Sequence, residues 1–101
     1  MNQLKTTLIL APIADAAAST KFQVNPGRPV TVISHAALGL VAAQHADIQV
    51  SHDGVLWQDL FVGTVQQRLN TTNTQIALDA PGIYRVNKGV TTNPVGISIH
   101  Q

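Results

Sequence analysis

Histidine and aspartate are the residues of this chain that could do chemistry, because imidazole and carboxylate groups bind metals and move protons. His45 stands two residues before Asp47, and His52 directly precedes Asp53. Catalysis by such a pair also needs an activated nucleophile, and no Gly-x-Ser-x-Gly elbow accompanies either of them. The spacing of the four histidines matches no local metal-binding pattern, and the chain has no cysteine. The sequence therefore predicts a protein that is not an enzyme and binds no metal. The histidines are His35, His45, His52 and His100.

Other ligand-binding patterns are equally absent from the sequence. The aspartates form no Asp-x-Asp-x-Asp calcium loop, and the glycines are isolated, so no phosphate-binding loop is predicted and no cofactor is expected. Asp53, followed by Gly54, is explained better as a turn former than as a catalytic acid. Trp57 and Tyr84 could form a sugar-stacking platform, but with four aromatic residues in the chain a core role for both is more economical.

Composition restricts the function more than the motifs do. The 101 residues make a single domain, only 11% of them are charged, glutamate is absent and the net charge is +1. An ordinary soluble domain is roughly one quarter charged, and near-neutral surfaces tend to associate. Two interpretations stay open, a neutral β-domain or a surface covered by partners in an assembly. Six scattered basic residues form no stripe, so nucleic-acid binding is not expected.

The N-terminal segment resembles a secretory signal, with Lys5 before an apolar run and small residues at 16–18. The apolar run is short and is broken by Pro12, with Asp15 close behind. We therefore predict an N-terminal strand or arm over 4–10, followed by an alanine-rich connection to 19, with the rest of the domain spanning 20–101. No segment reaches the roughly 20 apolar residues that cross a bilayer, so no membrane association is expected.

The centre of the chain predicts a β-hairpin, because Asp53 and Gly54 separate two apolar runs and glycine accepts the positive φ of a tight turn. A two-residue turn would pair Val50 with Trp57. A three-residue loop with a bulge would instead pair Val50 with Leu56, and the sequence does not decide between these registers.

Further short apolar runs predict strands at 21–24, 30–34, 61–69, 74–78, 83–87 and 95–100. Residues 36–45 fit either a helix or extended structure, and we favour extended structure because strands are predicted on both sides. The spacing from Leu78 through Pro81 and Gly82 to Tyr84 is typical of the corner at which a buried tyrosine hydroxyl bonds to nearby backbone. Together these patterns predict an all-β fold, an antiparallel β-sandwich or jelly roll of about seven to nine short strands.

Several of these segments also resemble a known class of proteins. The pattern Ile-x-Val-Ser-x-Asp-Gly-x-x-Trp at 48–57, the pattern Pro-Gly-x-Tyr-Arg-Val at 81–86, and a Thr/Asn loop leading into Val-Gly-Ile at 95–97 are the segments concerned. They are similar to small structural proteins of tailed bacteriophages, of the capsid decoration (cement) type. The resemblance covers roughly residues 46–100, and residues 1–45 have no such signature.

The resemblance implies a virion protein on the capsid exterior that bridges adjacent major capsid subunits and forms a homo-dimer or homo-trimer. Two rival functions stay open, a tail or neck component and a carbohydrate-binding module. We expect the N-terminal segment to provide an interface by adding a strand to a neighbouring sheet edge. The residues expected at this interface are Leu4, Leu8, Ile9, Leu10 and Pro12.

Overall fold

The short runs of Val, Ile, Leu and Thr form strands, since branched side chains favour extended backbone. The computed structural model describes residues 5–35 and 44–101, and no helix occurs within them. The strands are β1 (Thr6–Ile13), β2 (Ala17–Ala18), β3 (Phe22–Val24), β4 (Val30–His35), β5 (Ala46–Ser51), β6 (Gln58–Asp59), β7 (Phe61–Val62), β8 (Val65–Gln66), β9 (Arg68–Leu69), β10 (Gln75–Leu78), β11 (Gly82–Lys88) and β12 (Val95–His100).

Two larger sheets enclose one core. The first sheet has the order β1-β12-β4-β10, and the second has the order β2-β11-β5-β6, with β3 also paired to β11 and β9 to β5. β7 and β8 form a separate two-stranded sheet. All of these pairings are antiparallel, and both larger sheets contribute to the core, so the predicted all-β sandwich is confirmed. The core consists of Ile9, Val24, Val30, Val32, Ala46, Ile48, Leu69, Leu78, Tyr84, Val86, Val95, Ile97 and Ile99.

Strand β12 lies in the middle of the first sheet. Its alternating residues Val95, Ile97 and Ile99 are buried, as their period of two predicts. The intervening Gly96 and Ser98 are buried as well. A Cβ atom on Gly96 would lie 3.1 Å from Pro12 Cγ and 3.3 Å from the carbonyl oxygen of Leu10, so a larger residue there would require the neighbouring β1 to shift by a few tenths of an ångström.

The predicted tyrosine corner is present. Tyr84 is 3% exposed, and its hydroxyl donates a hydrogen bond to the carbonyl oxygen of Ala80 at 2.8 Å. Its ring stacks on that of Phe22, with centroids 6.1 Å apart. This hydrogen bond therefore ties the turn before β11 to β11 itself.

The number of strands differs from the prediction. We predicted one strand over 61–69, whereas that segment contains β7, β8 and β9. The backbone turns at Gly63, which has a φ of +65°, a value that glycine adopts without strain. As a result, the described residues hold twelve strands, five of which are only two residues long.

The predicted N-terminal strand occupies Thr6–Ile13 and pairs with β12 inside the first sheet. Its register shifts twice against β12, between Leu8 and Leu10 and between Leu10 and Ile13. Of the ambiguous segment at 36–45, residues 36–43 lie outside the described residues.

Candidate functional site

The Asp-Gly pair lies in a wider loop than predicted. Val50 pairs with Gln58, so residues 52–57 connect β5 to β6. Both predicted registers, which paired Val50 with Trp57 or with Leu56, are wrong.

Two side chains explain this wider loop. Asp53 Oδ1 accepts hydrogen bonds from the backbone N–H groups of Val55 at 2.8 Å and Leu56 at 3.0 Å. Ser51 Oγ accepts one from the N–H of Gly54 at 2.8 Å and donates one to Asp53 Oδ1 at 3.0 Å. These bonds replace the cross-strand bonds of a tight turn. The hydrogen bonds from Leu56, Val55 and Ser51 lower the pKa of Asp53 from 3.8 to about 2.

Beyond this loop, large apolar side chains stand on the surface. The described residues include seven exposed large hydrophobic side chains, and five of them fall between positions 55 and 65. Isolated exposed hydrophobic residues are ordinary, but a concentration of them marks an interaction site. We call these five residues the apolar edge. They are Val55, Leu56, Phe61, Val62 and Val65.

A hairpin carries three residues of the apolar edge. At its base, the N–H of Leu60 donates to the carbonyl of Ile48 at 2.9 Å, and the N–H of Ile48 donates to the carbonyl of Gln67 at 3.0 Å. The N–H of Gln67 also donates to the carbonyl of Leu60 at 2.8 Å. Residues 61–66 therefore project from the side of β5. Within the described residues, β7 and β8 pair only with each other.

The charged groups near the apolar edge are hydrogen-bonded to one glutamine. Gln49 connects Arg85 and Asp59, because its Oε1 accepts from Arg85 Nε at 2.8 Å and its Nε2 donates to Asp59 Oδ1 at 3.1 Å. The Arg85 guanidinium also lies over the Trp57 ring, 4.6 Å from its centroid. Such cation–π contacts are favourable at a partly exposed site. These contacts hold Trp57 against β11 and Asp59 of β6 against β5.

The predicted core role of Trp57 is wrong. The side chain is half-buried and lies outside the core cluster. Tyr84 and Val86 point into the core, so Arg85 lies on the opposite face of β11, and Trp57 packs there against it. Tyr84 is buried, as predicted, so the two residues do not form a joint sugar-stacking surface.

The predicted N-terminal interface residues divide into two groups. Leu8 is 52% exposed and Pro12 is exposed, so both are accessible to a partner. Ile9 is buried in the protein's own core, and Leu10 is half-buried against it. Leu4 lies outside the described residues. The accessible part of this strand is uncharged.

Among the candidate histidines and aspartates whose side chains the structure describes, one pair meets in space. His45 Nδ1 lies 2.8 Å from Asp47 Oδ1, and Arg68 Nε lies 3.1 Å from the same oxygen. This cluster holds β9 against β5, where Asp47 and Arg68 are paired residues. His52 is exposed. Across residues 5–35 and 44–101, no group of three His, Asp or Glu residues could hold a metal ion.

Sequence reasoning missed a buried lysine. Lys88, one residue beyond the strand predicted at 83–87, ends β11 and is 1% exposed. Its Nζ donates to the carbonyls of Asp15 and Gly89, both at 2.8 Å, and to Thr91 Oγ1 at 3.1 Å. It also lies 3.3 Å from the carbonyl of Ala14. Burial lowers the pKa of Lys88, opposed by the nearby Asp15 charge. No charge pattern in the sequence predicts this arrangement, because the acceptors are mainly backbone carbonyls.

Comparison with protein-family models, curated proteins and solved structures finds no match for this chain. The part of the chain that the structure describes contains no helix long and apolar enough to cross a membrane.

Proposed function

We propose that this chain is a non-enzymatic structural protein of a bacteriophage virion, of the decoration type, which binds the outside of the capsid and bridges major capsid subunits. The proposal follows from the resemblance of residues 46–100 to such proteins. One structural observation supports it most strongly, namely that exposed apolar side chains occur both on β1 and, separately, on the apolar edge.

The first of these places is β1, the edge strand of the first sheet, where Leu8 and Pro12 are exposed. The second is the apolar edge, which is attached to β5 of the other sheet. A protein that bridges its neighbours needs at least two contact surfaces with a fixed separation. Because the two sheets share one core, the two surfaces are held rigidly relative to each other.

The low charge content fits the same function. A protein that binds only the assembled shell stabilises that shell by mass action. Such a contact is favoured by apolar and hydrogen-bonding groups, because buried unpaired charges weaken it. With 11% charged residues and a net charge of +1, this chain has few charges to desolvate on binding.

The test is to mix the purified protein with phage capsids that lack it, and to measure bound stoichiometry and the capsid melting temperature. We expect a fixed ratio of protein to coat subunit and a higher melting temperature. We assign the coat-facing surface to β1, so Leu8→Lys should reduce the bound amount several-fold. The control is Val90→Lys, which also introduces a charge at an exposed apolar position. Val90 lies after β11 and is 72% exposed.

The opposite results would refute the proposal. A protein that ignores capsids but binds tail or neck assemblies belongs to a different part of the virion. Retention on a glycan array without capsid binding would favour the carbohydrate-binding function. Equal losses for Leu8→Lys and Val90→Lys would show that β1 is not the coat-facing surface.

A further inference from the structure

We propose that the apolar edge is the surface through which two copies of this chain associate, related by a two-fold axis. The proposal extends the function proposed above, since a symmetric pair would present two copies of the β1 surface to two coat subunits. It rests on the properties of the apolar edge itself and is tested on the chain alone.

The strand edges of this region favour pairing with another chain. Proteins protect exposed strand edges with bulges, prolines or charged residues, particularly lysine. Strand β1 is protected in this way, with two register shifts and Pro12. The hairpin formed by β7 and β8 has none of these features between positions 61 and 66 and carries Phe61, Val62 and Val65. A two-stranded hairpin is also only marginally stable by itself, so it gains from a second layer.

The electrostatics favour a second copy as the occupant. Charged residues that meet their own copies across a two-fold axis repel one another. Between positions 54 and 67 the chain has a single charged residue, Asp59, which accepts a hydrogen bond from Gln49. Two cations from other elements flank this region, Arg85 over the Trp57 ring and Lys21 beside Gly54. The five apolar side chains themselves therefore meet their own copies without like-charge repulsion. A strongly charged partner would instead leave its own groups desolvated and unpaired there.

The available area lies at the lower limit for a specific interface. Each of the five side chains of the apolar edge is more than half exposed, between 53% and 75%. Val62 and Val65 are paired and share one face of the hairpin, whereas Phe61 points to the other face. The five side chains offer on the order of 500 Å² per copy, so a symmetric pair that covers both faces of the hairpin reaches the roughly 1,000 Å² from which specific interfaces begin. The apolar edge therefore accounts for a weak dimer.

The experiment measures the mass of the chain in solution by light scattering across a concentration series. We expect wild-type protein to be dimeric at high concentration, and Val62→Lys to be monomeric because it places two ammonium groups near the axis. Val65→Lys is a second variant with the same expectation. Val90→Lys is the control and should keep the wild-type mass. Circular dichroism establishes that each variant is folded.

A mixing experiment tests the symmetry. Val62→Lys and Val62→Glu should each be monomeric alone, while an equimolar mixture should form heterodimers, since the opposite charges then meet across the axis. A monomeric wild type, an unchanged mass for both lysine variants, or a mixture that stays monomeric would overturn the proposal. Capsid binding is measured separately. A monomer that still binds capsids would refute this inference and leave the coat-protein proposal standing.

Discussion

Replacing Lys88 by methionine tests how far the buried ammonium stabilises the fold. Methionine has a similar length and keeps the apolar stem, but it cannot donate hydrogen bonds. The carbonyl of Ala14 would still accept from the N–H of Thr91 at 2.8 Å. The carbonyls of Asp15 and Gly89 would lose the ammonium that now bonds each at 2.8 Å.

The size of the effect follows from these two carbonyls. A buried polar group left unsatisfied costs about 1–3 kcal/mol, but Asp15 and Gly89 are exposed residues, so water can partly replace the ammonium at their carbonyls. Removing the ammonium also removes its own desolvation cost, which offsets a further part of the loss. We therefore expect Lys88→Met to lower the free energy of unfolding by about 1–2 kcal/mol, against the roughly 5–15 kcal/mol of a typical domain.

Urea unfolding of both proteins measures this difference, and Lys21→Met serves as the control because Lys21 is exposed. The dependence on pH gives a second test. Burial lowers the pKa of Lys88 below 10.5 in the folded state, so just below pH 10.5 the unfolded chain binds more protons. The free energy of unfolding of wild type then rises with pH in that window. The difference in this free energy between wild type and Lys88→Met should therefore increase as the pH approaches 10.5. If Lys88→Met lowers the free energy of unfolding by no more than Lys21→Met does, this account of the Lys88 hydrogen bonds is refuted.

Two further substitutions test the hydrogen bonds that hold the loops. Tyr84→Phe removes the bond to the Ala80 carbonyl and should cost about 1 kcal/mol in urea unfolding. Because burial raises the pKa of Tyr84 above 10.0, wild type should also lose stability above pH 10, and a variant with the same alkaline loss would contradict this. Asp53, whose pKa is lowered from 3.8 to about 2, stabilises its loop above pH 3.8 and stops doing so as the pH falls through 2. The protection factors of the Val55 and Leu56 amides, which are exchange rates corrected for the intrinsic rate at each pH, should therefore be high at pH 5, lower at pH 2, and low at both in Asp53→Ala. Wild-type protection factors that are the same at both pH values would count against it.

The sequence predicted the parts of the fold that depend on local patterns. Strand β12 follows from its period of two, and the tyrosine corner follows from the spacing of Pro81, Gly82 and Tyr84. The loop after β9 is likewise closed locally, with Asn70 Oδ1 accepting from the N–H of Asn73 at 2.8 Å. In each case the deciding interaction lies within a few residues of chain, so the pattern carries enough information.

Other predictions failed or were missing. The hairpin register failed for a local reason, because the Ser51 hydroxyl and the Asp53 carboxylate compete with the backbone for hydrogen bonds, which propensities do not weigh. The remaining features depend on residues that are distant in sequence. Trp57 was assigned to the core by size, yet its ring packs on Arg85, which is far from it in sequence. The Lys88 acceptors at Ala14 and Asp15 come from the opposite end of the chain. Only the assembled sandwich brings these groups together.

The acceptors around the Lys88 ammonium also bear on the proposed bridging. We call them the Lys88 cage, and they are the carbonyls of Ala14, Asp15 and Gly89 and the hydroxyl of Thr91. Ala14 and Asp15 directly follow β1, which carries the proposed coat-facing residue Leu8, whereas Lys88 ends β11 in the other sheet. The ammonium therefore ties the two sheets together near the point where β1 ends. A load applied at β1 and resisted at the apolar edge must pass between the sheets, through the close-packed core that they share. The hydrogen bonds from the ammonium to the carbonyls of Ala14 and Asp15 add directional contacts between the sheets, so they reinforce the separation that the proposed bridging requires.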